Sequence, residues 1–105
     1  ALISISKSLT LVGENRTANI IGLGSGKCVY ITASNVTIEG FTIRNGDYGV
    51  YIEDNACNNA IINNTITLNH ARGIWIMRSS NNSIINNSIV ENDGDGIGLY
   101  SRFEN

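Results

Sequence analysis

Short apolar segments separated by small polar residues alternate along the chain. In the clearest stretch, one segment surrounds Ile61, a second surrounds Ile66, and a third runs from Ile74 to Ile76. A helix needs about 10 residues of continuous pattern, and none of these segments offers that length. β-Branched residues favour strands, whereas the Asn and Gly residues between the segments favour tight turns. The pattern therefore predicts short strands joined by turns, without helices.

This three-segment pattern repeats with a period of 23 residues. The positions Asn58, Ile61, Asn63, Ile66, Gly73 and Ile74 recur as Asn81, Ile84, Asn86, Ile89, Gly96 and Ile97. An earlier copy begins at Asn35, and a degenerate first copy extends from Leu11 to Ile31. Short strand units at a fixed period stack as the coils of a solenoid. We therefore expect one all-β domain over residues 1–105, with about four coils of roughly 23 residues.

Asparagine pairs occupy fixed places in this repeat. The phrase NNAIINNTI at 58–66 returns as NNSIINNSI at 81–89, in a chain with 17 Ile, 16 Asn and no Pro. Equivalent residues on adjacent coils lie about 4.8 Å apart. Stacked Ile columns would then fill the interior, and stacked Asn columns at the corners would hydrogen-bond turn backbone that is otherwise left unpaired. We interpret the Asn pairs as a structural device.

The repeat resembles a known family. The pattern I-x-[GN]-x-x-I…G-[VI]-x-[IL], with NNSIINNSI and NVTIEGFTIRN as instances, resembles the right-handed parallel β-helix repeat. More narrowly, it resembles the NosD-like branch of the domain shared by carbohydrate-binding proteins and sugar hydrolases. The resemblance covers nearly the whole chain and is strongest over 34–100. It implies a right-handed, single-stranded parallel β-helix but no particular activity, because such domains include lyases, hydrolases, epimerases and surface modules.

Strand alternation predicts one exposed aromatic column. Because Val50 and Ile52 would point inward, Tyr51 and its equivalents Tyr30, Trp75 and Gly98 would point outward. Tyr100 lies two positions further along the last coil. We expect a continuous, flat aromatic platform that binds an extended polysaccharide by packing against its sugar rings. Two alternatives stay open: a ladder of stacked aromatics that only stabilises the sheet, or an interface with another surface.

Charged residues accompany this column. Glu53, Asp54, Arg78 and Arg102 fall on the same edge of the repeat, where they could hydrogen-bond sugar hydroxyls or simply face solvent.

An acidic cluster in the last coil is the candidate for chemistry. Glu91, Asp93 and Asp95 lie in the phrase VENDGDGI. Pairs of carboxylates cleave glycosidic bonds when they are held at a suitable separation, so these three are the catalytic candidates. Asn92, Asp93 and Asp95 are the candidate calcium ligands, because calcium prefers oxygen ligands. An ordinary Asp-Gly turn is the third interpretation.

Charge and composition argue against several other functions. The net charge is −2 and the cationic residues are scattered, so we expect no nucleic-acid partner. No stretch approaches the roughly 20 apolar residues of a membrane span. The resemblance to NosD raises the question of copper, but His70 is the sole histidine, and Cys28 and Cys57 fall in different columns. We therefore expect neither a copper site nor a disulfide, and no cofactor other than calcium.

These observations lead to three functional hypotheses. The first is a noncatalytic module of a cell-surface or exported protein, in an extracellular or periplasmic setting, that binds polysaccharide or surface glycan. The second is a fragment of a polysaccharide-active enzyme, and the third is a structural spacer. Terminal coils expose core and unpaired strand edges. We therefore also expect either a section of a longer β-helix or end-to-end or lateral self-association.

Overall fold

A computed structural model of the chain describes residues 2–100, and Arg102 lies outside this range. The described residues form thirteen strands and no helix. In chain order the strands are β1 (Ile3–Ile5), β2 (Thr10–Val12), β3 (Ala18–Ile21), β4 (Lys27–Ile31), β5 (Thr37–Glu39), β6 (Phe41–Arg44), β7 (Tyr48–Ile52), β8 (Ala60–Ile62), β9 (Thr65–Thr67), β10 (Arg72–Ile76), β11 (Ser83–Ile85), β12 (Ser88–Val90) and β13 (Ile97–Leu99).

The strands form three parallel sheets that wrap around one core. Sheet A has the order β1-β4-β7-β10-β13, sheet B has β2-β5-β8-β11, and sheet C has β3-β6-β9-β12. Each coil contributes one strand to each sheet, so that the chain climbs about one strand spacing per coil. The prediction of an all-β solenoid of about four coils, with roughly 23 residues per coil, is confirmed.

Isoleucine columns fill the interior, as the repeat predicts. In sheet C the register aligns Ile20, Ile43, Ile66 and Ile89 on successive coils. Ile43 and Ile66, in the middle coils, are fully buried. At the C-terminal end the core-facing residues of β13 are open to solvent: Ile97 is 46% exposed and Leu99 is 70% exposed. Burial is therefore complete only where a coil has a neighbour on both sides.

The first Asn of each pair forms the corner itself. Asn58 and Asn81 adopt φ values of 61° and 59°, and Asn63 and Asn86 adopt 54° and 56°. This left-handed region is accessible to Asn and Gly at low cost, which explains why Gly40 occupies the same place one coil below Asn63. Here the Asn residues supply the bend of the coil.

The second Asn of each pair, and Asn69 after Leu68 at the third corner, point inward and bind the coil below. The Oδ1 atom of Asn59 accepts from the Val36 N–H at 2.8 Å, that of Asn64 from the Phe41 N–H at 2.9 Å, and that of Asn69 from the Gly46 N–H at 3.0 Å. All three Asn side chains are buried. The interpretation of the Asn pairs as structural is confirmed. The first Asn of a pair forms the left-handed corner, and the second accepts a backbone hydrogen bond from the coil below.

The same contact repeats one coil higher. The N–H groups of Asn59, Asn64 and Asn69 donate to the Oδ1 atoms of Asn82, Asn87 and Asn92 at 3.0, 2.8 and 3.0 Å. Each of the three corners thus carries a column in which a backbone N–H is satisfied by the Asn of the next coil. A buried amide that lost such a partner would destabilise the fold by about 1–3 kcal/mol.

We predict that Asn64→Ala lowers the free energy of unfolding by about 2–4 kcal/mol. It orphans the Phe41 N–H and removes the hydrogen bond from Asn64 Nδ2 to the Ile38 carbonyl. Urea denaturation followed by circular dichroism measures the change. The matched control is Asn63→Gly, which preserves the left-handed corner and should change stability by less than about 1 kcal/mol. Equal losses in the two variants would contradict the assignment.

Candidate functional site

The aromatic column lies on the outer face of sheet A. Tyr30 pairs with Tyr51 across β4 and β7, Tyr51 pairs with Trp75 across β7 and β10, and Trp75 pairs with Gly98 across β10 and β13. Tyr30, Tyr51 and Trp75 are each half-buried, while their strand neighbours on either side point into the core. The register predicted from the repeat is therefore the one observed.

The rings do not form the flat platform that we expected. Tyr30 and Tyr51 pack edge to face, with centroids 5.6 Å apart and planes inclined by 70°. Tyr48, three residues before Tyr51 and outside the predicted column, packs edge to face against Tyr51 with centroids 5.1 Å apart. Edge-to-face packing is favoured because the positive edge of one ring meets the negative face of the next. The column is a corrugated aromatic surface.

Two cationic side chains lie against these rings. The Lys27 ammonium is 4.5 Å from the Tyr51 ring centroid and 4.9 Å from that of Tyr30. The Arg72 guanidinium is 4.3 Å from the Trp75 ring. All three distances fall within the range of cation–π attraction.

Lys27, Arg72 and Tyr48 were not among the predicted site residues, although the repeat carries a signal for them. Lys27, Tyr48 and Arg72 share one register column at the start of β4, β7 and β10. Each stands three residues before an aromatic residue of the outer column. We name the two columns together, from Lys27, Tyr48 and Arg72 to Tyr30, Tyr51 and Trp75, the aromatic–cationic face.

Trp75 leans toward the last coil, where Gly98 makes room for it. A Cβ atom on Gly98 would lie 2.5 Å from Cζ3 of the indole and closer still to Cε3. The Trp75 ring also approaches Tyr100, with centroids 6.3 Å apart and planes inclined by 35°. Its Nε1–H donates to the Met77 sulfur at 2.9 Å. The structure therefore brings all four predicted aromatic residues to one face.

Polar groups line the edge of this face where the strands end. The Tyr30 hydroxyl donates to Glu53 Oε2 at 2.7 Å, and this hydrogen bond raises the pKa of Tyr30 above 10.0. Arg78 pairs with Asp54, and its hydrogen bond lowers the pKa of the Asp54 carboxyl. Three of the predicted charged residues thus lie beside the aromatic column, as expected.

The acidic cluster of the last coil is open and loosely paired. Asp93 Oδ2 lies 4.0 Å from His70 Nδ1, and Asp95 Oδ2 lies 3.4 Å from Arg72 Nε. Glu91 is exposed and forms the corner with a φ of 58°. Within residues 2–100, no three His, Cys, Asp or Glu side chains converge on a common point that could hold a metal ion.

Asn92, a predicted calcium ligand, belongs to the interior ladder. Its Oδ1 accepts hydrogen bonds from both the backbone N–H and the Nδ2 of Asn69, each at 3.0 Å. Its own Nδ2 donates to the Ile66 carbonyl. Asn92 Oδ1 is therefore already occupied by two hydrogen bonds and is not free to bind calcium. Of the three predicted calcium ligands, Asp93 and Asp95 have exposed side chains.

A separate cleft lies at a corner away from the aromatic–cationic face. It has a volume of about 450 Å³ and is lined by Val12, Glu39 and Asn63, among others. Arg16 crosses it: its Nε donates to the Asn63 carbonyl at 2.9 Å, and its Nη2 donates to the Asn86 carbonyl. Arg16 thus links the first coil to the third and fourth coils, so we assign this side chain a structural role.

The described residues form a parallel β-solenoid, and sheet A carries the aromatic–cationic face on its outer side. Over residues 3–105 the sequence matches the family described as "Right handed beta helix region". The chain belongs to this family, and the right-handed parallel β-helix is its fold. The comparison with curated proteins and with solved structures finds no match. No helix among the described residues is long and apolar enough to cross a membrane.

We predict that Gly98→Ala displaces the Trp75 indole. The added methyl group would overlap the indole ring, so that Trp75 must leave its place beside Arg72. The expected result is a shift of Trp75 fluorescence emission and a loss of about 1–3 kcal/mol in stability. Gly96→Ala is the matched control, because its Cβ would lie 3.4 Å from Ile89 in ordinary contact. An unchanged emission spectrum in Gly98→Ala would contradict the described indole position.

A second prediction concerns alkaline pH. Because the folded-state pKa of Tyr30 is raised above the unfolded value, its contribution to stability is complete below pH 10.0 and is lost as the pH rises through the raised pKa. In Glu53→Ala the acceptor of this hydrogen bond, which is the main cause of the shift, is removed. Ultraviolet titration of tyrosinate should then show one tyrosine ionising at lower pH, and the alkaline loss of stability should be smaller. Identical titration curves would refute the Tyr30–Glu53 hydrogen bond.

Proposed function

We propose that this β-helix is a noncatalytic module of a cell-surface or exported protein, placed outside the cell or in the periplasm. Its ligand is an extended polysaccharide or surface glycan. The glycan lies across strands β4, β7, β10 and β13, on the aromatic–cationic face.

The observation that carries this proposal is the uninterrupted column Tyr30–Tyr51–Trp75 on three adjacent strands. The rings remain half-buried after packing on one another, so that aromatic surface is still accessible. The C–H faces of a sugar ring are apolar and carry partial positive charge, which suits the negative face of an aromatic ring. A ligand with a repeating unit suits a surface that repeats on every coil.

The polar groups around the column supply hydrogen bonds of both kinds. Lys27 and Arg72 are donors, while Glu53 is a charged acceptor at the edge. Charge-assisted hydrogen bonds are stronger than neutral ones and fix the orientation of a bound hydroxyl or carboxylate. Aromatic surface for the ring faces and charged groups for the hydroxyls therefore lie within one sheet face.

One observation supports the alternative hypothesis of a polysaccharide-active enzyme. Asp95 pairs with Arg72, and Arg72 contacts Trp75, so that the acidic cluster adjoins the aromatic–cationic face. A glycan bound on this face would extend toward Glu91, Asp93 and Asp95. Depolymerisation of the bound glycan that disappears in Asp93→Asn would favour the enzyme over the noncatalytic module.

Titration of Trp75 fluorescence with a panel of neutral and acidic polysaccharides tests the proposal. We expect a saturable change with one class of glycan and an affinity about tenfold weaker in Tyr51→Ala, which corresponds to about 1.4 kcal/mol. The control is Val12→Ala, which changes an exposed side chain on sheet B and should leave the affinity unchanged. If no glycan changes the emission and Tyr51→Ala alters only stability, the aromatic column serves the sheet alone and the spacer hypothesis is favoured.

A further inference from the structure

The Asn columns have a direction along the solenoid axis. In each column the N–H of one coil donates to the Asn side chain of the following coil, never of the preceding one. Asn64 satisfies Phe41, and Asn87 satisfies Asn64. In the last coil of the described residues, the Asn side chains therefore accept hydrogen bonds from the coil below. The backbone N–H groups of the same coil could be accepted only by side chains of a coil above it.

At the C-terminal edge of the described residues, the corner N–H groups lack an acceptor from a following coil. Among residues 2–100, the inward N–H groups of Asn87 and Asn92 have no acceptor, whereas Asn64 and Asn69 in the same columns have one. The last strand of this edge, β13, also leaves core-facing apolar side chains uncovered: Ile97 and Leu99, which are aligned with the buried Ile74 and Ile76, are 46% and 70% exposed. Any cover must bury apolar surface and also accept hydrogen bonds at two defined points.

The first coil of a second copy would not meet the second requirement. In the Asn64–Asn87 column its residue is Ala18, which is aligned with Phe41. At the place of the Asn69–Asn92 column, just after β3, the first coil has Leu23, which is 86% exposed and stands between Gly22 and Gly24. Neither side chain has a hydrogen-bond acceptor. End-to-end stacking of two copies would bury both N–H groups without partners, which is strongly disfavoured.

We propose that the C-terminal edge is a docking surface for a further parallel β-helix coil that carries Asn at both column positions. The two open N–H groups select such a coil over an apolar one and over the N-terminal coil of another copy. The residue types in the two Asn columns thus determine which coil can stack on a given coil.

The period of the sequence defines the experiment. Because Asn105 stands 23 residues after Asn82, a copy of residues 83–100 added directly after Asn105 continues the repeat. It places copied Asn residues over Asn87 and Asn92. The matched control is the same extension with Ala and Leu at these two places, as in the first coil. Thermal unfolding and amide hydrogen exchange are then compared among the parent and the two extended proteins.

We expect the Asn-bearing extension to raise the Tm by roughly 5–10 °C and to slow exchange of the Asn87 and Asn92 amides by at least about tenfold. In the parent these two amides should exchange fast at every protein concentration. The proposal is overturned if the Ala–Leu extension stabilises and protects equally, or if the Asn-bearing extension protects neither amide. It is also overturned if the parent gains protection at these amides as its concentration rises, because a second copy would then cover the edge.

Discussion

At each of three corners in this β-helix, a buried backbone N–H donates to a side chain and not to a strand carbonyl. In this protein the acceptor is the side chain of an Asn on the next coil, at distances of 2.8–3.0 Å in the three columns. Buried amides without partners are rare in native proteins because each one is costly. The columns therefore decide where coils can turn, and the Ile columns supply the burial that favours stacking.

The aromatic–cationic face depends on this arrangement. Loops between the sheets differ in length, so that Trp75 follows Tyr51 by 24 residues while Asn87 follows Asn64 by 23. Because the corners are anchored independently of the loops, the strands return to the same register in sheet A on every coil. That register is what brings Tyr30, Tyr51 and Trp75 side by side, and a one-residue slip would turn them into the core.

Much of this could be predicted from the sequence because the repeat is regular. The period, the Ile columns and the outer aromatic column follow from positions such as Ile61, Ile66 and Tyr51. Contacts outside the repeat could not be predicted. Leu68 occupies a left-handed corner with a φ of 56°, where the preceding coil has Asn45, and its residue type gives no indication of this. Arg16 reaches carbonyls 47 and 70 residues away.

The inclination of the aromatic rings was equally beyond sequence reasoning. Alternation assigns a side chain to a face but says nothing of its rotamer, and the rotamer depends on neighbours such as Lys27 and Gly98. The same limit applies to Asn92, whose surroundings in the acidic phrase indicated a calcium ligand. Its position in the Asn69 column, 23 residues on, directs it into the interior.

Scalar couplings across hydrogen bonds, measured by NMR in isotope-labelled protein, test the Asn columns most directly. The columns predict a coupling between the backbone nitrogen of Phe41 and the carboxamide carbon of Asn64, and another between Gly46 and Asn69. Slow amide exchange at Phe41 and Gly46 should accompany both. If neither coupling appears and these two amides exchange as fast as exposed turn amides, the Asn side chains do not hold the corners and the account is contradicted.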